Sequence, residues 1–193
     1  SDDEWLRNKL ELQVMEIKKS KNYLICHTNE IWIRNGVRVN QMKKHQKYGG
    51  DIFEKCLDMC RLSPSSVLIH KKIFKDVGTF DESLIICEDY DLWLRISSKY
   101  SILFLDSMLI KKYGGHEDQL SKNINGIEQH RIQSLEKILK TIDLNKKQFD
   151  AAVHMILKKL NIYKIGLKKR NKEKENYIIE KKIHDWTLVA NRN

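Results

Sequence analysis

Three short stretches of this sequence carry side chains able to do chemistry. Asp2 and Asp3 are adjacent carboxylates. Hard divalent cations such as Mg²⁺ and Mn²⁺ take oxygen ligands of this kind and share them with phosphates. Two aspartates ahead of a helix also serve as N-caps, so the pair alone carries both readings. Glu88-Asp89-Tyr90-Asp91 opens an amphipathic segment. A carboxylate there is a general base if it faces a pocket, and a partner of the helix dipole if it does not. The run Tyr113-Gly114-Gly115-His116-Glu117-Asp118-Gln119-Leu120-Ser121 sets a histidine after two glycines. Glycine lets the backbone approach a ligand, and His116 can ligate a metal, contact a phosphate or simply occupy a loop. Cysteines stand at 26, 56, 60 and 87. They are too sparse for a disulfide scaffold and read as reduced thiols. Cys56 and Cys60 share a helix face, and with Cys87 and a histidine they would make a metal set; the plainer reading is small core residues.

These groups need elements to position them. Trp5, Leu10, Val14 and Ile17 recur at helical spacing, which predicts an amphipathic helix from Trp5 to Ile17 behind Asp2 and Asp3. Tyr23–His27 reads as a strand. Glu30–Arg34 and Val37–Val39 flank Asn35-Gly36, a strong hairpin signal because both turn positions take positive φ. Gln41–Tyr48 is polar and basic and ends at Gly49-Gly50, a candidate mobile loop. Short helices are predicted over Ile52–Cys60 and Lys71–Asp76, with a strand over Ser65–His70 between them. Leu92, Trp93 and Ile96 share one face of a helix over Glu88–Lys99. Ile102–Leu105 and Met108–Ile110 are apolar enough for buried strands. Past Ser121 the pattern turns helical: Ile132, Leu135 and Leu139 make one stripe, Val153, Ile156 and Leu160 another, and Tyr177–Trp186 a third helix. The expected division is a mixed α/β part over 1–125 and a helical extension over 126–193.

Composition bounds the class. The chain has 193 residues, 41% of them hydrophobic and 32% charged, so it can build a core but contains no run of eighteen apolar residues able to span a membrane. One proline and eight glycines exclude collagen-like and linker-like classes. Net charge is +10, and it is lopsided: residues 136–193 hold 15 Lys/Arg against 7 Asp/Glu, whereas residues 1–135 hold 21 against 19. A basic helical tail is a solvated face or a surface for anionic lipid or nucleic acid. Met155–Arg170 interleaves apolar and basic residues as membrane-surface helices do, while few aromatics and no recognisable motif speak against nucleic acid.

Taken together, Ser1-Asp2-Asp3-Glu4-Trp5, Val77-Gly-Thr-Phe-Asp-Glu82, Glu88-Asp-Tyr-Asp-Leu-Trp-Leu-Arg95 and Gly115-His116 resemble, in order and spacing, the family 2 glycosyltransferases of the GT-A fold. The resemblance spans residues 1 to about 135. It implies an incomplete Rossmann-like mixed sheet with flanking helices, and an inverting transfer of sugar from a nucleotide-sugar donor to an acceptor hydroxyl. Asp89 would be the catalytic base, with Glu88 beside it. Asp2, Asp3 and His116 would hold a divalent cation, Mn or Mg, against the donor diphosphate. The Gln41–Gly50 loop would face a glycan or lipid-linked acceptor. Trp93 fits the core better than the sugar. In the family, a nucleotide-binding half precedes the aspartates. This sequence opens inside that motif, with neither Met nor a signal pattern, so the expectation is a fragment, inactive alone and self-associating through an uncovered sheet edge. A cytoplasmic location, peripheral at the inner membrane face through the basic tail, is the matching expectation.

Overall fold

The computed structural model describes residues 3–115 and 127–192. Its centre is β2 (Ile25–Arg34), which runs parallel to β5 (Leu103–Gly114) along its whole length. On its other side β2 pairs antiparallel with β4 (Leu68–Ile69) at its start and with β3 (Val37–Val39) at its end. The short β1 (Glu4–Trp5) pairs antiparallel with the outer edge of β5. The chain is thus a mixed α/β fold with an open five-stranded sheet, flanking helices and further helices at its C-terminal end.

Parallel pairing of β2 and β5 demands a long crossover. That crossover contains α2 (Phe53–Cys56), a 3₁₀ turn over Pro64–Ser66, α3 (Lys71–Val77) and α4 (Glu88–Lys99). The Asn35-Gly36 turn joins β2 to β3 with φ of 49° and 77°, as the hairpin signal required. Gly78 ends α3 at φ 80°. Two expected strands over 102–110 are one strand, because extra residues at Asp106-Ser107 bulge out opposite Thr28–Asn29 and interrupt the apolar pattern. Asn29 Nδ2 donates to Asp106 Oδ1 at 2.9 Å and pins that bulge. Bulges re-aim the side chains beyond them, and here the next residue, Glu30, points into the protein with 2% of its surface exposed.

The first helix differs from expectation in start and in face. Trp5 lies in β1, and α1 covers Lys9–Ser20. Its buried residues are Lys9 and Gln13, while Leu10, Val14 and Met15 are exposed. Polar contacts dock it: Gln13 Nε2 donates to Ser66 O at 2.9 Å, and the Lys9 ammonium donates to Gln13 Oε1 at 2.8 Å and lies 4.1 Å from the Trp5 ring centroid. Asp3 is therefore at a strand, not at a helix N-terminus.

In the second described stretch, α5 (Ile127–Thr141), α6 (Lys146–Lys169) and α7 (Glu173–Arg192) follow one another. Asn145 and Gln148 form a capping box at the start of α6. The hydrophobic core is continuous: Ile25, Ile73, Leu92, Trp93 and Ile96 pack in the same cluster as Leu135, Ile156 and Leu160. Part of the basic charge of these helices is consumed internally. Lys159 is 3% exposed and bonds Glu128 at 2.9 Å and Asp58 O at 2.8 Å; Lys164 pairs with Glu180 and Lys182 with Glu136. Ile162 and Ile165 remain exposed on α6. No helix among the described residues is long and apolar enough to cross a membrane.

Candidate functional site

The Glu88–Arg95 motif divides into two parts with different work. From Tyr90 to Ser97 every residue of α4 is buried. Tyr90 donates its hydroxyl to Leu57 O at 2.6 Å. Asp91, 2% exposed, takes Arg95 at 2.8 Å and Lys137 at 3.0 Å. Arg95 also donates to Val77 O, and to Thr79 O at 2.7 Å, while Lys137 reaches Asp81 at 2.7 Å. The Phe-Asp-Glu and Glu-Asp-Tyr-Asp segments are paired in sequence because these bonds fasten the 77–81 loop to the helix. Trp93 is 1% exposed and belongs to the core.

Glu88 and Asp89 are left at the N-terminal turn, only partly buried. Cys87 precedes them in the left-handed region at φ 64°, a conformation that costs a non-glycine residue energy and that turns the chain sharply into the helix. Asp89 Oδ1 accepts from the Tyr90 amide at 2.6 Å, and Oδ2 lies 3.0 Å from Cys60 Sγ. Burial, and then the neighbouring Asp89 carboxylate, push the Cys60 thiol well above its ordinary pKa. Cys60 is thus a protonated donor to Asp89. All four cysteines are free thiols, and Cys60 Sγ lies within reach of Asp89 Oδ2 and of Leu62 O at 3.2 Å.

From Cys60 the chain continues as Arg61-Leu62-Ser63-Pro64-Ser65-Ser66, and this segment gathers the rest of the site. Ser65 Oγ donates to Asp3 Oδ2, while the Tyr113 amide donates to Asp3 Oδ1 at 3.3 Å. Ser63 Oγ accepts from two ammonium groups, Lys47 at 3.3 Å and Lys112 at 3.1 Å. Ser66 closes the turn on Ser63 O at 2.7 Å. Beneath the lysines lies Glu30. Its Oε1 takes the Trp32 indole N–H at 2.8 Å and Lys47 at 3.3 Å; Oε2 is buried without a hydrogen-bond partner. Burial alone would raise the Glu30 pKa. Lys47 and then Lys112 outweigh it, helped by Ser63 and Trp32, and hold the carboxyl below its usual value. Burial pulls the Lys47 pKa down against the pull of Glu30.

The sheet explains this convergence. Glu30 and Trp32 alternate onto one face of β2, and Lys112 is the cross-strand partner of Trp32 on β5. Lys47 arrives from the 41–48 loop, whose end is pinned. Gly50 bridges to Ile102, and a Cβ on Gly49 would stand 2.9 Å from Phe104 Cβ. His27 Nε2 bonds Tyr48 O at 2.8 Å, and because a carbonyl only accepts, this nitrogen carries the proton. Burial lowers the His27 pKa to about 4, so the ring is neutral at pH 7. Gly115 has φ 101°, and a Cβ there would meet Asn35 Oδ1 at 2.6 Å, so its glycine serves the hairpin contact.

Of the sequence-expected site residues, Asp89 and Asp3 are thus attached to the same seven-residue segment. Glu88 stands beside Asp89. Asp2 and His116 lie outside the described residues. Among the described residues no three His, Cys, Asp or Glu side chains stand close enough to hold a metal between them. Asp3 by itself is a hard oxygen donor with both oxygens oriented, which suits a cation completed by phosphate and water. Lys47, Lys112, Ser63, Ser65, Glu30 and Cys60 as a partner of Asp89 were not expected.

Comparison with known proteins places the chain in similar company. It is 33% identical over 129 residues to an uncharacterized glycosyltransferase of Rickettsia bellii, covering 64% of this chain and 19% of that protein. It is 28% identical over 134 residues to the uncharacterized glycosyltransferase RT0329 of Rickettsia typhi, covering 67% of this chain and 42% of that protein. The chain therefore spans less than half the length of these relatives. No family model matches it. In fold it resembles the crystal structure of S. aureus TarS 1–349 in complex with UDP-GlcNAc, with a TM-score of 0.59 at 15% identity, over 80% of this chain and 45% of that one.

Proposed function

We propose that this chain carries the acceptor side of an inverting family 2 glycosyltransferase of the GT-A type, which moves a sugar from a nucleotide-sugar donor to an acceptor hydroxyl. The observation that carries the proposal is the 60–66 segment, which bonds Asp89 through Cys60 and Asp3 through Ser65. Similarity to glycosyltransferases in sequence, and to a UDP-GlcNAc complex in fold, supports the same reading. The much longer relatives support reading the chain as part of a larger protein, whose other residues would bind the nucleoside.

In this reading Asp89 takes the proton of the acceptor hydroxyl as that oxygen attacks the anomeric carbon and the bond to the diphosphate breaks on the opposite side. The Tyr90 amide and the Cys60 thiol fix the two carboxylate oxygens, so the base is oriented before the acceptor arrives. Glu88 stands beside Asp89 in the first turn of the same helix. Asp3, with Asp2 and His116, would hold a divalent cation, which when bound supplies charge neutralisation to the departing diphosphate. The test is release of nucleoside diphosphate by the full-length protein from a panel of nucleotide sugars with Mn²⁺ or Mg²⁺ and glycan or lipid-linked acceptors. Acceptor-dependent release is expected; no release from any donor would contradict the reading.

A further inference from the structure

We propose that Lys47 and Lys112, gathered on Ser63, bind a phosphoryl group of a substrate; this rests on the transferase reading for its context, but not for its chemistry. The two ammonium groups share one hydroxyl oxygen and have one carboxylate, Glu30, between them. Among the described residues Lys112 makes one hydrogen bond, to Ser63, and no ion pair, leaving two of its three N–H donors unused. Further basic residues, Arg34, His45 and Arg61, border the place. Arg34 and Lys112 lie 5.6 and 5.8 Å from the Trp32 ring, His45 packs on the same ring at 4.8 Å, and Arg61 is anchored on the carbonyls of Lys44 and Lys55. His45 is held below its ordinary pKa first by burial and then by Lys44, Lys47, Lys112 and Arg61, which registers the positive field.

The ligand class follows from the donor chemistry. Lysine ammonium is a compact point charge with three rotatable donors, and two such groups on one hydroxyl suit a phosphoryl group, which carries several acceptor oxygens. Its location gives the phosphoryl group a purpose. Lys112 is followed by the Tyr113 amide that bonds Asp3, and Ser63 lies three residues from Cys60, the partner of Asp89. A phosphoryl group held here would lie on the same 60–66 segment that contacts Asp3 and Asp89. It can belong to the donor diphosphate or to a phosphodiester in the acceptor.

Calorimetric titration in EDTA separates these sources and removes any metal contribution. Inorganic pyrophosphate stands for the donor, and glycerophosphoglycerol for a phosphodiester acceptor. Wild type is expected to bind one or both, at least tenfold more weakly in Lys112→Met and Lys112→Gln, and unchanged in the exposed control Lys147→Met. Binding of pyrophosphate alone assigns the site to the donor, binding of the diester alone assigns it to the acceptor, and mutual competition assigns one pocket to both. Absence of binding by folded wild type, or equal binding by the folded Lys112 variants, would overturn the proposal. No turnover is measured, so the site survives if the full-length protein transfers no sugar, and sugar transfer without phosphoryl binding overturns the site alone.

Discussion

Two charge clusters, one around Asp91 and one around Glu30, are built to opposite plans. Around Asp91, one carboxylate receives both Arg95 and Lys137, and the remaining donors of Arg95 end on the Val77 and Thr79 carbonyls. Each charge has an opposite partner, and the cluster is closed. Around Glu30, two ammonium groups meet one carboxylate and one hydroxyl, and donors are left over. The first arrangement fastens a loop. The second has two ammonium groups to one carboxylate, an excess of positive charge that suits an anion. Asp89 and Asp91 are the same residue type two positions apart, and what each touches decides its work.

The largest expected effect lies in the closed cluster. Asp91→Ala should leave the buried Arg95 without its carboxylate and Lys137 with Asp81 alone, and cost about 3–5 kcal/mol, typical of removing one partner of a buried ion pair. Urea denaturation reads it; a loss under 1 kcal/mol would mean that this cluster is not a fastening. The next effect lies at His27, which anchors the loop carrying Lys47. Its pKa is depressed from 6.5 to about 4, so the unfolded chain binds the proton more readily. The stability contributed by neutral His27 is fully present above pH 6.5 and is lost as pH falls through 4. The loss is on the order of 3 kcal/mol, and it should vanish from the acid limb of the stability profile in His27→Gln. An unchanged limb in that variant would show that His27 is not the titrating group. The smallest effect is expected in the open cluster: Lys112→Met should change stability by no more than about 0.5 kcal/mol while weakening phosphoryl binding. A large stability loss there would erase the contrast between the clusters.

Much of this was legible in the sequence where a local pattern fixes the structure. The helix over Glu88–Lys99 has the bounds its acidic first turn and apolar face predicted, and Asn35-Gly36 turns as a hairpin. What escaped lacks a periodic signal. A two-residue strand such as Glu4–Trp5 has no alternation to read, and α1 buries Lys9 and Gln13 because its partners are carbonyls and a sulfur, which no apolar count reveals. Lys47, Ser63 and Lys112 come from a loop, a 3₁₀ turn flank and a strand, far apart in the chain, and are joined only by tertiary structure. The one available hint was Ser63-Pro64-Ser65-Ser66, the single proline of the chain among three hydroxyls.

We propose Asp89, and not Asp91, as the base. This assignment is tested most directly by measuring acceptor-dependent nucleoside diphosphate release by the full-length protein carrying Asp89→Asn, with its melting temperature recorded beside the wild type. An unchanged melt and a fall in kcat of about 10²–10⁴-fold, the range of general-base catalysis, are expected. Release at the wild-type rate from a folded Asp89→Asn protein would contradict the assignment.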